Sequence, residues 1–248
     1  MKKLFTLACF LVIVALPTSS FALIDIEAAV GVWGCAPTGD FSYKSTLTYD
    51  FEDTFGFEDE TFPMARFKLE LPVIPNIYLM ATPMKFEGTS ETVFEFDNQS
   101  FTVDTDTELT FNQYDLGFYY GVPFLGLASL GKFHVDAGLN LRIIQMDAKM
   151  SNTATGLSRD ESITVPVPML YLAADLSPID LLVIEAEIRA LPVSDLEVIS
   201  AIARLKVNIP GPFYVAGGYR HETVAVDQDD FDIDIKFSGP FAEAGFKF

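Results

Sequence analysis

The sequence predicts an all-β chain, an antiparallel transmembrane β-barrel of ten strands, with eight or twelve as the alternatives. Three observations carry that expectation. Apolar and polar residues alternate with a period of two in repeated segments of about ten residues, the pattern of membrane strands. No apolar run after the N-terminus is long enough for a spanning helix, and a closed barrel is the other structure that satisfies its backbone in lipid. The connections alternate between short turns and longer acidic stretches.

The first element is an export signal. Met1-Lys2-Lys3 is a basic start, Leu4 to Leu16 is apolar apart from Thr6, and Ser20 and Ala22 place small residues at the −3 and −1 positions of a cleavage site. Residues 1–22 are therefore read as a removed signal peptide and 23–248 as a single domain, a length that suits one β-barrel. Cys9 lies inside the apolar run, so Cys35 is left as a lone thiol with no disulfide partner.

Strand segments follow in order. Ile24, Ile26, Ala28, Val30 and Val32 oppose Asp25, Glu27, Ala29 and Gly31, a sorting that a helix would scatter around its surface. Ala65 to Leu71, Leu116 to Val122, Phe133 to Ile143, Leu182 to Ile188, Ala203 to Ile209 and Phe213 to Tyr219 repeat it. Two segments, 77–87 and 162–175, are less regular; Pro166 and Pro168 remove ladder donors and suggest a bulge or an edge. The last segment, 232–248, shifts phase at Ser238-Gly239-Pro240, which a β-bulge would explain. Short connections at Pro72–Asn76, Ser177–Asp180 and Pro210–Pro212, with a longer one at Pro123–Gly131, read as periplasmic turns. The stretches 35–61, 88–106, 150–161 and 223–231 read as outer loops, with a short fifth connection at Pro192–Glu197.

Charge placement sets the barrel's inside. Facing inward are Arg66, Lys68, Arg142, Arg189, Arg204, Lys206, Arg220 and Lys236, against Asp25, Glu27, Glu70, Asp115, Asp136, Glu185, Glu187, Glu222 and Asp234. The lumen is thus expected to be nearly neutral and largely filled by ion pairs, and the chain's net charge of −19 falls mostly on the loops. Such acidity excludes nucleic-acid binding, which needs Lys and Arg to displace counterions. Tyr78, Tyr114, Tyr119, Tyr120, Tyr171, Phe213, Tyr214 and Phe248 gather near strand ends and are expected to form interfacial girdles.

The chain closes on an alternating strand in which Phe246 and terminal Phe248 share a face, a form that resembles the signal read by the bacterial barrel-assembly machinery. With Gly218-Tyr219-Arg220 and Phe237-Ser238-Gly239-Pro240-Phe241, it resembles a family of small proteobacterial outer-membrane β-barrel proteins without an assigned activity. The resemblance implies export to the outer membrane and contact with lipid and lipopolysaccharide, and carries no catalytic residues.

No catalytic, cofactor or metal site is expected. His134, beside Asp136, sits near the periplasmic end; His221 sits near an outer loop with Glu222 and Asp227 nearby; neither has a nucleophile motif beside it. Asp104/Asp106 and Asp230/Asp232/Asp234 lack the Gly and distal Glu of a calcium loop, which leaves divalent-cation bridging to lipopolysaccharide as the one metal role. The expected function is a non-enzymatic structural, ligand-binding or narrow-channel barrel. The alternatives are a transporter of a small or apolar solute, and an outer-membrane hydrolase or lipid-modifying enzyme. A soluble periplasmic barrel is the architectural alternative.

Overall fold

The computed structural model describes residues 24–43, 48–96, 99–193, 196–228 and 231–248. The signal segment 1–22 and the acidic pair Asp229-Asp230 lie outside the described residues.

Ten antiparallel strands close on themselves. In wall order they are β1 (Asp25–Cys35), β4 (Glu60–Glu70), β5 (Asn76–Thr82), β9 (Thr105–Gly121), β10 (Phe133–Asn152), β11 (Leu157–Ile179), β12 (Leu182–Val193), β13 (Leu196–Asn208), β14 (Phe213–Gln228) and β15 (Phe231–Lys247). Closure is made by β1 on β15, from Glu27↔Lys247 to Trp33↔Phe241. Paired backbone bonds between Ile26 and Phe248 seal the seam at the end where β1 begins and β15 ends. The ten segments legible in the sequence are these ten strands.

The long-hairpin end carries further strands where the sequence suggests loops. β2 (Pro37–Tyr43) continues β1 along β15 without changing register, and β3 (Tyr49–Asp50) adds to it. β6 (Lys85–Ser90) continues β5 along β9, again in register across Pro83. β7 (Phe94–Phe96) and β8 (Gln99–Phe101) form a separate hairpin. A short helix, Phe51–Phe55, starts on Asp50, whose carboxylate accepts from the amides of Glu52 and Asp53 at 2.9 Å, and stops at Gly56 with φ 67°. The stretch 150–161 is also mostly strand: β10 and β11 pair without a break out to Asn152↔Leu157. Asn152 Oδ1 ties the turn by accepting from the amides of Ala154 and Thr155.

Two local expectations are corrected. The β14–β15 register runs unbroken from Phe213↔Phe246 to Gln228↔Phe231, so there is no bulge at Ser238-Gly239-Pro240. Odd-numbered residues point inward from Ile233 to Glu243 of β15; what changes is the chemistry of the two faces. Ile233, Ile235 and Phe237 are apolar and buried inside, whereas Glu243 is the buried charge further along the same face. Pro166 and Pro168 do sit at an edge: β11 pairs with β12 only from Leu170 onward, while its pairing with β10 stays continuous through both prolines.

Candidate functional site: a divided barrel interior

Several strands carry the same chemical switch. On β10 the outward face is apolar at Val135, Leu139, Leu141 and Ile143, then polar at Gln145, Asp147 and Lys149. Its inward face runs the other way, polar at Asn140 and Arg142, then apolar at Ile144, Met146 and Met150. On β9 the outward change falls between Tyr114 and Asn112, and the inward change between Gln113 and Phe111. Register puts these changes at one level, since Tyr114 pairs with Ile143 and Ile143 with Pro166, while Asn112 pairs with Gln145 and Gln145 with Thr164. β14 switches outward between Tyr219 and Thr223 and inward between Glu222 and Val224. The barrel is therefore two stacked bodies. One is apolar outside and charged inside; the other is polar outside and apolar inside.

The charged half holds seven buried bases and six buried acids among the described residues. Around Glu222, Arg142 approaches at 3.0 Å, Arg220 at 2.6 Å and the Ser200 hydroxyl donates at 2.8 Å, with the Gln113 amide as a fourth donor. Arg142 also grips Asp115 through two bonds of 2.9 Å, the forked geometry that suits guanidinium to carboxylate. Asn140 donates to the same carboxylate at 2.6 Å. Arg220 is held further by Thr82 at 2.8 Å and Gln113 Oε1 at 2.7 Å, and lies 4.2 Å above the Trp33 ring.

A second cluster lies nearer the termini. Glu27 pairs with Arg66 at 2.7 Å and Lys206 at 3.0 Å and accepts from the Tyr214 hydroxyl at 2.9 Å. Arg204 bridges Glu185 at 2.6 Å, Glu187 at 2.8 Å and Glu243 at 3.0 Å, and Glu243 returns to Arg66 at 2.8 Å. Glu187 takes Arg189 at 2.7 Å and Lys68 at 3.8 Å, and Lys206 also meets Glu185. Each carboxylate of this second cluster is thus shared by two or more cations, the arrangement that offsets desolvation of buried charge.

Of the charges assigned inward from sequence, the structure brings Glu27, Arg66, Lys68, Asp115, Arg142, Glu185, Glu187, Arg189, Arg204, Lys206, Arg220 and Glu222 into these clusters. Asp25, Glu70 and Asp136 lie on the inward face but nearer the terminal end, outside the clusters and only partly covered or exposed. Lys236 and Asp234 face outward and pair with each other at 2.8 Å; the misread phase of β15 had put them inside. Glu243 is a further buried lumen charge that was not among those assigned inward from sequence. The alternation of Ala242, Ala244, Phe246 and Phe248 on the outward face is the signal that places it inside.

The aromatic girdle also needs correction. Tyr78, Tyr119, Tyr171 and Tyr214 are buried inside the barrel. Tyr171 packs on Tyr78 and Tyr119 with ring centroids 5.7 and 5.4 Å apart, and the Arg189 guanidinium lies 4.5 Å from the Tyr78 ring. Small cross-strand partners make room for them: Tyr78 opposes Gly117, Tyr171 opposes Gly138 and Tyr214 opposes Gly245. A Cβ on Gly245 would lie 2.5 Å from the Tyr214 ring, so glycine is required there by close approach. Tyr114, Tyr120, Phe213 and Phe248 do face outward.

The second body is filled by aromatics. Phe237 stacks on Phe86 at 5.7 Å and packs on Phe111 at 4.9 Å; Phe62 meets Phe86 at 4.7 Å. Phe55, Phe94 and Phe101 continue the packing further out. Cys35 is buried on the same inward face. His221 faces outward at the switch level, its Nδ1 2.6 Å from Ser238 Oγ and its Nε2 3.2 Å from Thr223 Oγ1, while Glu222 beside it in sequence points inward.

This architecture is that of a transmembrane β-barrel. No described helix is long and apolar enough to cross a membrane. No family model and no curated protein matches the chain. Solved structures similar in outline include the outer membrane protease OmpT of Escherichia coli, at 9% identity and TM-score 0.47, with 94% of this chain and 99% of that chain covered. Ail, the attachment invasion locus protein of Yersinia pestis, in complex with the heparin analogue sucrose octasulfate, aligns at 12% identity and TM-score 0.38, covering 90% and 99%. The translocator domain of autotransporter NalP from Neisseria meningitidis aligns at 13% identity and TM-score 0.39, covering 100% and 96%.

Proposed function

We propose that the protein is an integral protein of the bacterial outer membrane, a closed and non-conducting barrel that anchors an outward-projecting, apolar-cored body. The observation that carries this is the coincidence of the two polarity switches at one level of the wall. A soluble barrel has no reason to reverse both faces together; a barrel leaving a bilayer must reverse its outer face there. The outward apolar run on β11 from Pro166 to Leu176 measures about 34 Å along the strand, or roughly 26 Å along the axis at a ~40° tilt, which matches the apolar band of such barrels.

The lumen is closed twice, by shared ion pairs in the bilayer half and by packed aromatics beyond it, which supports a plugged barrel over a transporter. In this placement the acidic hairpins face lipopolysaccharide, with divalent cations as the bridge, and Phe246 and Phe248 are read by the assembly machinery. Purified protein in planar bilayers is expected to give no stable conductance. Discrete, long-lived conductance steps from the unmodified chain would overturn the closed-lumen reading.

A second reading rests on His221 and Ser238. His221 lines an outward groove with Leu172, Ala174, Ala186, Ile188, Ala201, Ala203 and Tyr219, and Ser238 lies beside it at 2.6 Å. A base within hydrogen-bond reach of a hydroxyl, beside a groove that suits an acyl chain, supports lipid-ester chemistry. Hydrolysis of a long-chain nitrophenyl ester that disappears in both His221→Ala and Ser238→Ala, with folding intact, would establish it; equal rates in all three proteins would remove it.

A further inference from the structure

The outward-projecting body is not completely filled. Between the short helix, β7 and the inward faces of β9 and β10 lies a cavity of about 330 Å³, lined by Phe51, Phe55, Phe96, Leu109, Met146 and Met150. Native interiors hold few voids larger than a water molecule, so a space of this size in an otherwise packed aromatic core calls for an occupant. It falls in the range of small-molecule pockets. A void of about 150 Å³ takes one benzene, so this one suits roughly two such rings or an alkyl chain of similar bulk.

The cavity also has a way in. β11 has no β12 partner before Leu170, so the wall there ends in an unpaired edge beside the cavity. Ile163, on the inward face of that edge and part of the lining, is 47% exposed, whereas Val167 on the same face two pleat repeats lower is fully buried. Below, the Phe86–Phe237–Phe111 packing separates the cavity from the charged lumen. Its charged members are both at the rim: Glu161, and Glu108, which faces outward and is paired with Lys85 at 3.0 Å and Lys149 at 3.5 Å. Methionines add polarizable surface that adapts to guests of differing shape.

We propose that this cavity is a binding site for an uncharged apolar small molecule, a one- or two-ring aromatic or a medium-length alkyl compound, entering over the free edge of β11. The apolar lining disfavours anionic amphiphiles, whose carboxylate would lose its hydration there without a cation to replace it. The site deepens the closed-barrel reading but is tested apart from it, because conductance reports on the lumen and the measurement below reports on the cavity alone.

The test is methyl NMR of the folded protein in lipid nanodiscs, with ¹³C-methyl methionine as the reporter and n-octanol as the probe. Met146 and Met150 line the cavity; Met80 and Met169 are buried elsewhere in the barrel. Saturable shifts confined to Met146 and Met150, at least tenfold weaker with octanoate, are expected. Ala148→Phe, which fills the cavity, should abolish them, and Ile163→Asp at the exposed edge should weaken them by roughly tenfold should the filled variant fail to fold. Shifts that rise linearly with octanol and are shared by Met80 and Met169 would show bilayer partitioning and overturn the proposal. So would saturable shifts indifferent to both substitutions.

Discussion

Replacing Glu222 by alanine removes the acceptor shared by Arg142, Arg220, Ser200 and Gln113. Breaking a buried ion pair costs about 3–5 kcal/mol, because the partner charge stays desolvated. Here both arginines keep other partners: Arg142 has Asp115, and Arg220 has Thr82, Gln113 and the Trp33 ring. The expected loss is therefore near ~3 kcal/mol, the lower end of that range. With a urea slope of about 2 kcal/mol per molar, the unfolding midpoint in lipid vesicles should fall by ~1.5 M. Trp33, the one tryptophan of the chain, reports the transition from within the same cluster. Adding Arg142→Met to Glu222→Ala should cost less than it does alone, with a coupling of about 1–3 kcal/mol. A midpoint change below about 0.3 M, or strict additivity of the two substitutions, would refute the view that the network closes and stiffens the lumen.

Other expectations follow from the same structure. Leu139→Arg, at the centre of the outward apolar run of β10, should destabilise the vesicle-embedded barrel by about 2–4 kcal/mol, whereas Asp147→Arg beyond the switch should change it by less than ~0.5 kcal/mol; urea titration checks both. Gly245→Ala forces a Cβ to 2.5 Å from both the Tyr214 ring and the Ala28 carbonyl oxygen and should lower the urea midpoint, and an unchanged midpoint would contradict the close approach. Phe248→Ala keeps the backbone bonds to Ile26 and should leave the folded barrel's stability little changed while slowing its appearance in the outer membrane, read by pulse-labelling and heat-modifiable mobility. Cys35, buried in the aromatic core, should resist maleimide in the folded protein and react only after denaturation; rapid labelling of the native state would contradict its placement.

Where the polarity of a strand stayed constant, its sequence could be read directly. Ile26 to Val32, Phe133 to Ile143 and Leu182 to Ile188 alternate cleanly because one face meets the apolar exterior and the other the charged lumen. Beyond the switch the same alternation persists with its chemistry exchanged, as at Leu109 and Phe111 inside and Glu108 and Thr110 outside. Hydropathy then places the inward face on the wrong side, which suggests a bulge in β15 and draws Lys236 and Asp234 inward. Tyr78 is apolar enough to suggest an interface but is committed to the lumen by Gly117 opposite it and by Arg189 over its ring, relations that no local pattern displays. The cavity is less legible still, since it depends on where the pairing of β11 with β12 stops.

The level of the polarity switch is the central claim, and site-directed spin labelling measures it most directly. In a Cys35→Ala background reconstituted in lipid, nitroxides would be placed singly at the outward positions Leu139, Leu141, Ile143, Gln145, Asp147 and Lys149 of β10. Oxygen accessibility should dominate through Ile143, and accessibility to a water-soluble nickel chelate should dominate from Gln145 onward. A uniform preference for the nickel chelate along the whole series would contradict the account, since it would mean that the apolar face of the barrel meets water.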